Sequence, residues 1–408
     1  MRLNANGKGL NRYTEGSTSA ESVPFVGLAT PYRTDNYGTK LQAFALQRFL
    51  DGNGIGNEII DYSFSERAKD PRKLFLPDRA AYKREKREKK TGLLGPEYME
   101  GMKKRKRGMD SFLEESLRFS QPCRTLKEAG DMAAQKYSAV VCGSDQIWLP
   151  SHILDGYYTL SFVPEGVKRI AYAPSFGTEH IPWYIKGDCA RQLKRFDTLT
   201  AREQSGKETV EKLTQRECPV AADPVFLLGR EEWKKLAGNG KRPVPEKYAA
   251  GYFIGGSSGH RSASRSFAHS KGLKMVTVPS GTSSSALDER YTDRAVYGAS
   301  PFDFVGIIAG ADVVFTDSFH GTLFSIIFEK PFFCFERFGE KDPLSTNTRL
   351  RSLLGALGLE ERLIKNGNTH IPDAGDIDYT EVHRRIGRMK ESSGKILLDA
   401  VRGEKGTA

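Results

Sequence analysis

Short apolar runs alternate along the chain with longer segments in which apolar residues recur every three or four positions. The runs include Phe25–Ala29, Ser138–Cys142, Tyr248–Ile254 and Val313–Phe315. Unbroken apolar runs are typical of parallel strands that are covered on both faces. The segments between them have the spacing of amphipathic helices. The pattern therefore predicts an α/β fold.

The most apolar part of the chain, residues 311–335, predicts a strand, a polar turn, a helix and a second strand. The turn contains Asp317, Ser318 and His320. In parallel sheets ligands bind beyond the C-terminal strand ends, where the next helix offers free N–H groups. The turn is therefore a candidate site, although a helix cap at Asp317 or Ser318 is the alternative interpretation.

Polar residues also follow three other predicted strands, namely Asn36 and Thr39 after the first strand, Asp145 after the strand at 138–142 and Arg202 after the strand at 198–201. Asn36 and Thr39 can hydrogen-bond a sugar or a carboxylate, and a plain turn capped by Thr39 is the alternative. Asp145 can accept a proton from a hydroxyl, and Trp148 offers a flat face for a sugar ring. Arg202 can bind an anion, or form a surface salt bridge.

Length and composition set the broad class of protein. A chain of 408 residues is too long for one ordinary core, which predicts two domains. The five cysteines are scattered, without a C-x-x-C pair or a His/Cys cluster, so we expect no disulfide framework, no metal site and a reducing, cytoplasmic location. No apolar run reaches the ~18 residues of a membrane span. Residues 1–22 lack the apolar core of a signal peptide, and we expect a disordered leader there.

The segment 65–107 carries most of the positive charge. It contains sixteen Lys and Arg against seven Asp and Glu, a net +9 of the formal +11 of the chain. We expect a basic helical insert over residues 65–136 of the first domain. It is either a solvated face or a surface that attracts an anionic glycan, a lipid diphosphate or an acidic membrane. Interleaved Glu residues and few aromatic residues argue against a nucleic-acid partner.

An ordered set of motifs resembles those of the polysaccharide pyruvyl transferases. The stretch S-F-H-G-T-L-F-S-I-I-F-E-K-P-F at 318–332 resembles the signature segment of that family. The motif N-Y-G-T-K-L-Q-A at 36–43 resembles the N-terminal motif of one branch, and G-S-D-Q-I-W at 143–148 resembles the central motif. Three shorter motifs follow in order at 173–177, 201–203 and 222–224. Specificity comes from the ordered set and not from any one motif.

The resemblance implies a GT-B-like fold, in which two Rossmann-like domains face a central cleft. We place the first domain at residues 23–229 and the second at 230–372. Residues 373–408 are expected to form a helix that packs back across the domain junction.

The resemblance also implies an activity. The protein is expected to transfer the pyruvyl group of phosphoenolpyruvate to two hydroxyls of a glycan or a lipid-linked glycan precursor, as a cyclic ketal. We expect no metal and no bound cofactor, and a location in the cytoplasm or at the inner face of the cell membrane.

The resemblance and the chemistry together suggest roles for individual residues. His320 is the candidate acid and Asp145 the candidate base. The donor-binding candidates are Arg202, Lys341, Arg349, Ser318 and Thr322. The acceptor-binding candidates are Asn36, Tyr37, Thr39, Gln42, Gln146 and Trp148.

The chain departs from the family pattern at one position. Many relatives carry Arg two residues before the family His, where this chain has Ser318. The anionic donor then needs another cation, because an unpaired buried anion is costly. We expect Lys341, for its spacing from His320, and Arg349, at the start of the next helix, to supply it.

Two other functions share these features. A GT-B glycosyltransferase that uses a nucleotide sugar would bind UDP or GDP in place of phosphoenolpyruvate. A catalytically silent glycan-binding relative would bind the donor without turnover.

Overall fold

The computed structural model describes residues 24–63, 70–76, 96–178, 180–238, 244–281, 283–340, 342, 345–373 and 375–404. The predicted leader, the basic run Lys83–Lys90 and Lys341 lie outside these residues.

The first half of the chain builds one parallel sheet and its helices. Its elements are β1 Phe25–Ala29, α1 Tyr37–Gly52, β2 Gly56–Ile59, α2 Pro96–Ser116, α3 Leu126–Lys136, β3 Ala139–Cys142, α4 Pro150–Asp155, β4 Lys168–Ala171, α5 Lys186–Leu193, β5 Thr198–Leu199 and α6 Gln204–Thr214. Within the described residues the strands pair in the order β2-β1-β3-β4-β5, all parallel. Val26 and Leu28 pack into one apolar core and Ala29 into another, so both faces of the sheet are covered.

The second half builds another parallel sheet. Its elements are α7 Arg230–Leu236, β6 Tyr248–Tyr252, α8 Ser258–Ser270, β7 Lys274–Thr277, β8 Arg294–Ala295, α9 Pro301–Gly310, β9 Val313–Thr316, α10 Phe319–Ile327, β10 Phe332–Phe335, α11 Thr348–Leu357, β11 Leu363–Ile364 and α12 Tyr379–Arg402. Over the part of the chain that the structure describes, the strand order is β11-β10-β9-β6-β7-β8, again all parallel. The predicted α/β fold is confirmed.

Each sheet has a point at which the strand order reverses. In the first sheet this point lies between β1 and β3, and in the second sheet between β6 and β9. At such points the loops beyond two neighbouring strands diverge and leave a crevice, where ligands of open α/β sheets bind.

Helix α1 lies where the two halves meet. The ring of Tyr37 stacks on Phe304 with centroids 4.6 Å apart, and its hydroxyl donates to the carbonyl of Ala299 at 3.0 Å. Helix α12 returns to the first half, where Ser393 Oγ accepts from the amide of Ala222 at 2.8 Å. These contacts bring the crevices of the two sheets together.

Two predictions about local structure are corrected. The apolar sequence at 218–228 predicts a last strand of the first half, but the structure has a 3-10 turn there, Pro224–Leu227, because proline cannot donate to a ladder and Asp223 caps the turn by accepting from Val225 N. The basic helix α2 is not simply solvated, since Arg105 within it is buried against Tyr37, with its guanidinium 4.6 Å from the ring centroid.

All five cysteines are free and buried. No helix in the described residues has the length and apolar character needed to cross a membrane.

Candidate active site

The turn after β9 is held at the switch point of the second sheet. The carboxylate of Asp317 accepts from the amides of Ile254 at 2.6 Å and Gly255 at 2.8 Å, both beyond β6. Ser318 is the N-cap of α10 and accepts from the amide of Gly321 at 3.4 Å. Asp317 therefore fixes the edge of the sheet and Ser318 caps the helix, which leaves His320 as the side chain available for chemistry.

His320 lies directly against the first half of the chain. A Cβ atom at Gly38, in the first turn of α1, would collide with the imidazole ring, so only glycine allows this approach. The His320 residue is 5% exposed. Its Nε2 atom is 3.5 Å from Oδ2 of Asp223, without an aligned hydrogen bond. The imidazole, which follows β9 of the second sheet, therefore contacts residues near the switch point of the first sheet.

Asp223 is the buried carboxylate of the site. Its Oδ2 atom accepts from Arg202 Nη1 at 2.9 Å and from Ser144 Oγ at 3.3 Å. Burial by itself raises the pKa of Asp223, but His320 and Arg202 outweigh burial and hold the pKa well below its usual range. Asp223 is therefore a fixed negative charge beside the imidazole. The sequence shows the motif at 222–224 but gives Asp223 no role, and the available signal is an acid before a proline at the end of the first half.

Arg202 is the central cation. Its side chain is 1% exposed, Nη2 lies 3.6 Å from Asp145 Oδ1, and Cζ lies 4.4 Å from the ring centroid of Phe319. Burial lowers the pKa of Arg202, yet Asp223, Asp145 and Glu203 reverse this, so that the net pKa is raised. Its Nε and Nη2 atoms have no hydrogen-bond partner among the described residues. Buried donors of this kind need an explanation, and a bound anion supplies one.

Asp145 faces Arg202 from the first switch point. Thr39 Oγ1 donates to its Oδ2 at 2.6 Å. Burial raises the pKa of Asp145, but Arg202, His320 and the Thr39 hydrogen bond outweigh burial, and the net pKa is lowered. Asp145 is therefore ionised at neutral pH and can accept a hydrogen bond from a hydroxyl.

Arg349 is a second buried cation near the same place. Its Cζ atom lies 5.8 Å from the ring centroid of Phe319, and its Nε donates to the carbonyl of Thr346 at 3.3 Å. No ion pair formed within the described residues includes it. Burial lowers the pKa of Arg349 to about 9, and the positive charges of Arg202 and Arg337 add to the effect. A buried guanidinium without a carboxylate in direct contact favours a bound anion. Arg351, two residues on, is instead bonded to Glu336 at 2.5 Å.

For four residues the predicted contact with a ligand is corrected, because their side chains are buried and contact other parts of the protein. Trp148 is fully buried, packs on Phe176 and donates from its indole to the carbonyl of Tyr158, so no sugar ring can stack on it. The buried hydroxyl of Thr322 donates to the carbonyl of Ser318 at 3.0 Å. Tyr37 belongs to the contact between the two halves.

Gln42 is the fourth, and its buried amide links two strand ends. It accepts from Ser144 N at 2.9 Å and donates to Thr30 Oγ1 at 2.9 Å. Gln42 therefore positions the loop that carries Asp145 and does not bind an acceptor.

Two further acceptor candidates lie at the edge of the site. The side chain of Asn36 caps α1 by accepting from Thr39 N at 3.2 Å. Gln146 is half-buried beside Gly177, where a Cβ atom would collide with its amide. Their role as acceptor ligands stays a prediction. In the described ranges no cluster of three or more His, Cys, Asp or Glu side chains is arranged to hold a metal ion.

The family model of the polysaccharide pyruvyl transferases ("Polysaccharide pyruvyl transferase") matches residues 36–337, most of the chain. The chain belongs to the polysaccharide pyruvyl transferase family. Membership of this family indicates that the protein is a transferase. The matched residues include His320, Asp223, Arg202 and Asp145. Arg349 lies beyond them. A comparison with curated proteins finds no significant match.

Solved structures share the architecture. An S. aureus MnaA–UDP complex is 10% identical with a TM-score of 0.50, over 93% of this chain and 97% of that one. UDP-GlcNAc 2-epimerase from Neisseria meningitidis bound to UDP-GlcNAc is 10% identical with a TM-score of 0.49, over 93% and 99%. AviGT4, a glycosyltransferase involved in avilamycin A biosynthesis, is 12% identical with a TM-score of 0.49, over 95% and 99%. At 10% identity the MnaA likeness concerns the fold alone, and the two-domain architecture is GT-B-like.

Proposed function

We propose that this family member transfers the pyruvyl group of phosphoenolpyruvate to two hydroxyls of a glycan or a lipid-linked glycan precursor, which gives a cyclic ketal and inorganic phosphate. The observation that carries the proposal is the meeting of His320 with Asp223, Arg202 and Asp145 at the junction of two switch points. An acid, a hydroxyl-binding carboxylate and a buried cation are the groups that this chemistry requires.

Arg202 and Arg349 are suited to hold the donor. Phosphoenolpyruvate carries a phosphate and a carboxylate, and both guanidiniums contact the ring of Phe319. Arg202 has unsatisfied donors, whereas Arg349 has no carboxylate partner in the described part of the chain. A guanidinium binds such planar or tetrahedral anions through parallel hydrogen bonds. Lys341 remains a sequence-based candidate for the same site.

His320 then protonates C3 of the enol ether, which becomes the methyl group and leaves positive charge at C2. The Asp223 carboxylate lies 3.5 Å from Nε2, where it would stabilise a positive charge on the ring. Proton donation by a positioned side chain contributes ~10²- to 10⁴-fold to such a step.

A sugar hydroxyl next adds to C2 and loses its proton to Asp145, which Thr39 and Arg202 hold in place. The C2–O bond to phosphate breaks and phosphate leaves against the arginines. A second hydroxyl of the same glycan adds to C2 and loses its proton, which closes the ketal. One of the two released protons restores His320, and the other leaves with phosphate or solvent.

Turnover with a panel of glycan acceptors tests the proposal. The purified protein is incubated with phosphoenolpyruvate and each acceptor, and both phosphate release and acceptor mass are followed. We expect acceptor-dependent phosphate release and a pyruvylated product. Consumption of UDP- or GDP-sugars with no consumption of phosphoenolpyruvate would support the glycosyltransferase alternative instead.

A further inference from the structure

Two large aromatic side chains are exposed on neighbouring turns of the first half of the molecule. Trp183 is 82% exposed and Phe75 is 78% exposed, more than any other large hydrophobic side chain in the described ranges. The two turns are neighbours, since the hydroxyl of Tyr184, next to Trp183, donates to the carbonyl of Phe75 at 3.3 Å. We call Phe75 and Trp183 the aromatic pair.

The fold holds the aromatic pair in this exposed position. Each ring lies on a short 3-10 turn, Pro71–Phe75 or Trp183–Ile185, and each turn is anchored by a buried neighbour, Leu76 or Ile185. Arg72 ties the turns together, since its Nη1 donates to the carbonyl of Tyr184 at 3.3 Å and to Asp188 at 2.5 Å. The exposure is therefore a property of two cross-linked turns.

Basic residues lie close to the aromatic pair in the sequence. Helix α5, which starts directly after the turn of Trp183, exposes Lys186, and it also exposes Arg191, which is paired with Asp188. The sequence that follows Leu76, residues 77–95, has seven Lys and Arg against three Asp and Glu. Exposed Trp and Phe rings flanked by basic residues match the interface of an anionic bilayer, where the rings enter the headgroup region and the cations meet lipid phosphates.

A sugar-stacking platform fits the pair less well. Such a platform needs polar side chains beside the ring that bind sugar hydroxyls. The carboxylates near the pair, Asp70 and Asp188, are both paired with Arg72. These carboxylates are therefore not free to accept hydrogen bonds from sugar hydroxyls. The apolar area of the two rings, in contrast, is exposed and suited to contact with an apolar partner.

We propose that the aromatic pair is a docking surface for an anionic phospholipid membrane. The pair follows β2 and β4 in the chain. In the proposed function, docking of this surface would hold the protein at a bilayer in which a lipid-linked acceptor is anchored. The proposal does not depend on the transfer chemistry, so its test uses vesicles and needs no turnover.

Tryptophan fluorescence of the full chain gives a direct test. The protein has three tryptophans, and Trp148 and Trp233 are fully buried, so a change on docking reports on Trp183. With vesicles of phosphatidylglycerol and phosphatidylcholine we expect a blue shift, and quenching when the acyl chains are brominated. Phosphatidylcholine vesicles should give a weaker response, and added salt should weaken the response to the anionic vesicles.

Variants locate the surface. Trp183→Ser and Phe75→Ser are each expected to lower co-sedimentation with the anionic vesicles about ten-fold, because each removes one apolar ring from the interface. Met99→Ser is the matched control, since Met99 is a half-exposed apolar residue on α2, and it should bind as the wild type does. An affinity for phosphoenolpyruvate that calorimetry finds unchanged in all three variants would show that the active site is intact.

Three outcomes would overturn the proposal. The first is no emission change and no co-sedimentation with anionic vesicles. The second is binding that both Ser variants retain in full. The third is a blue shift with soluble oligosaccharides and none with vesicles, which would make the pair a sugar platform.

Discussion

The imidazole of His320 comes from the second sheet, whereas the Asp223 carboxylate, 3.5 Å from Nε2, comes from the first half of the chain. Arg202 and Asp145 complete the group from two further strand ends of the first sheet. At the scale of single residues, Asp223 and Asp145 each lie close to a buried cation. Among the described cations of the site, Arg349 alone has no carboxylate in direct contact, and its Nε donates to a backbone carbonyl instead.

Removal of the proposed acid should abolish chemistry without unfolding the protein. For His320→Gln we expect turnover to fall by about 10²-fold or more, the usual contribution of a positioned acid. Phosphate release measures turnover, and circular dichroism checks the fold. Near-normal turnover in the folded variant would exclude His320 from the mechanism.

The donor site gives a matched pair of variants. Arg349→Met should weaken phosphoenolpyruvate binding roughly ten-fold or more, since a charge-assisted hydrogen bond contributes about 1.5–3 kcal/mol. Arg351→Met is the control, because Arg351 is bonded to Glu336 and is partly exposed. Calorimetric titration should show a loss of affinity for the first variant alone; equal affinity in both would place the donor elsewhere.

The depressed pKa of Asp223 makes a prediction about stability. A carboxyl group whose pKa is lowered by folding stabilises the protein above its unfolded pKa of about 4, and this contribution is lost as the pH falls through the folded value. Asp223→Asn should therefore lower the free energy of unfolding at pH 7, and its difference from wild type should shrink below about pH 4. Urea unfolding across pH measures both. Asp110→Asn, at an exposed ion pair with Lys106, is the control and should change the free energy of unfolding little at any pH. A stability difference for Asp223→Asn that stays constant with pH would contradict the lowered pKa of Asp223.

At the scale of elements, helix α2 contacts both the start of helix α1, which carries Gly38 and Thr39, and the second half of the chain. The guanidinium of Arg105 donates to the carbonyl of Asp35 at 2.6 Å and to the hydroxyl of Tyr37 at 3.1 Å. On the other side Tyr98 packs edge-on against Tyr297 of the second half, with centroids 5.6 Å apart. Helix α2 therefore positions the first turn of α1, which approaches His320 and Asp145.

Loss of this support should affect catalysis more than donor binding. For Arg105→Met we expect kcat to fall about ten-fold, since its hydrogen bonds to Asp35 and Tyr37 are lost, with little change in phosphoenolpyruvate affinity. Arg105→Lys should recover part of kcat, and Lys104→Met, an exposed change on the same helix, should have no effect. If Arg105→Met and Lys104→Met behave alike, α2 has no positioning role.

The elements were predictable because unbroken apolar runs such as Val313–Phe315 leave few alternatives to a buried parallel strand. The contacts that each side chain makes were harder to predict from the sequence. Trp148 lies in a polar motif, and only packing against Phe176 and Phe196 decides that its ring faces the core. Asp223 gains its role from Arg202 and His320, residues distant in sequence, which periodicity does not reveal.

At the scale of the whole molecule, the two parallel sheets place both switch points at one junction, which α1 and α12 hold together. The junction explains how a site can form from residues spread from Thr39 to Arg349. It also places Arg202 and Arg349, one from each half, around one ring, Phe319. Transfer from a small anionic donor to a glycan is the function that this arrangement supports best.

One measurement tests this account most directly. The protein, phosphoenolpyruvate and a glycan acceptor are incubated in D₂O, and the product is observed by NMR. The account predicts a ketal methyl group that carries one deuterium, because an exchangeable proton, delivered by His320, is added to C3, together with one phosphate released for each ketal formed. A ketal methyl without deuterium, or consumption of phosphoenolpyruvate that yields no ketal with any acceptor, would contradict it.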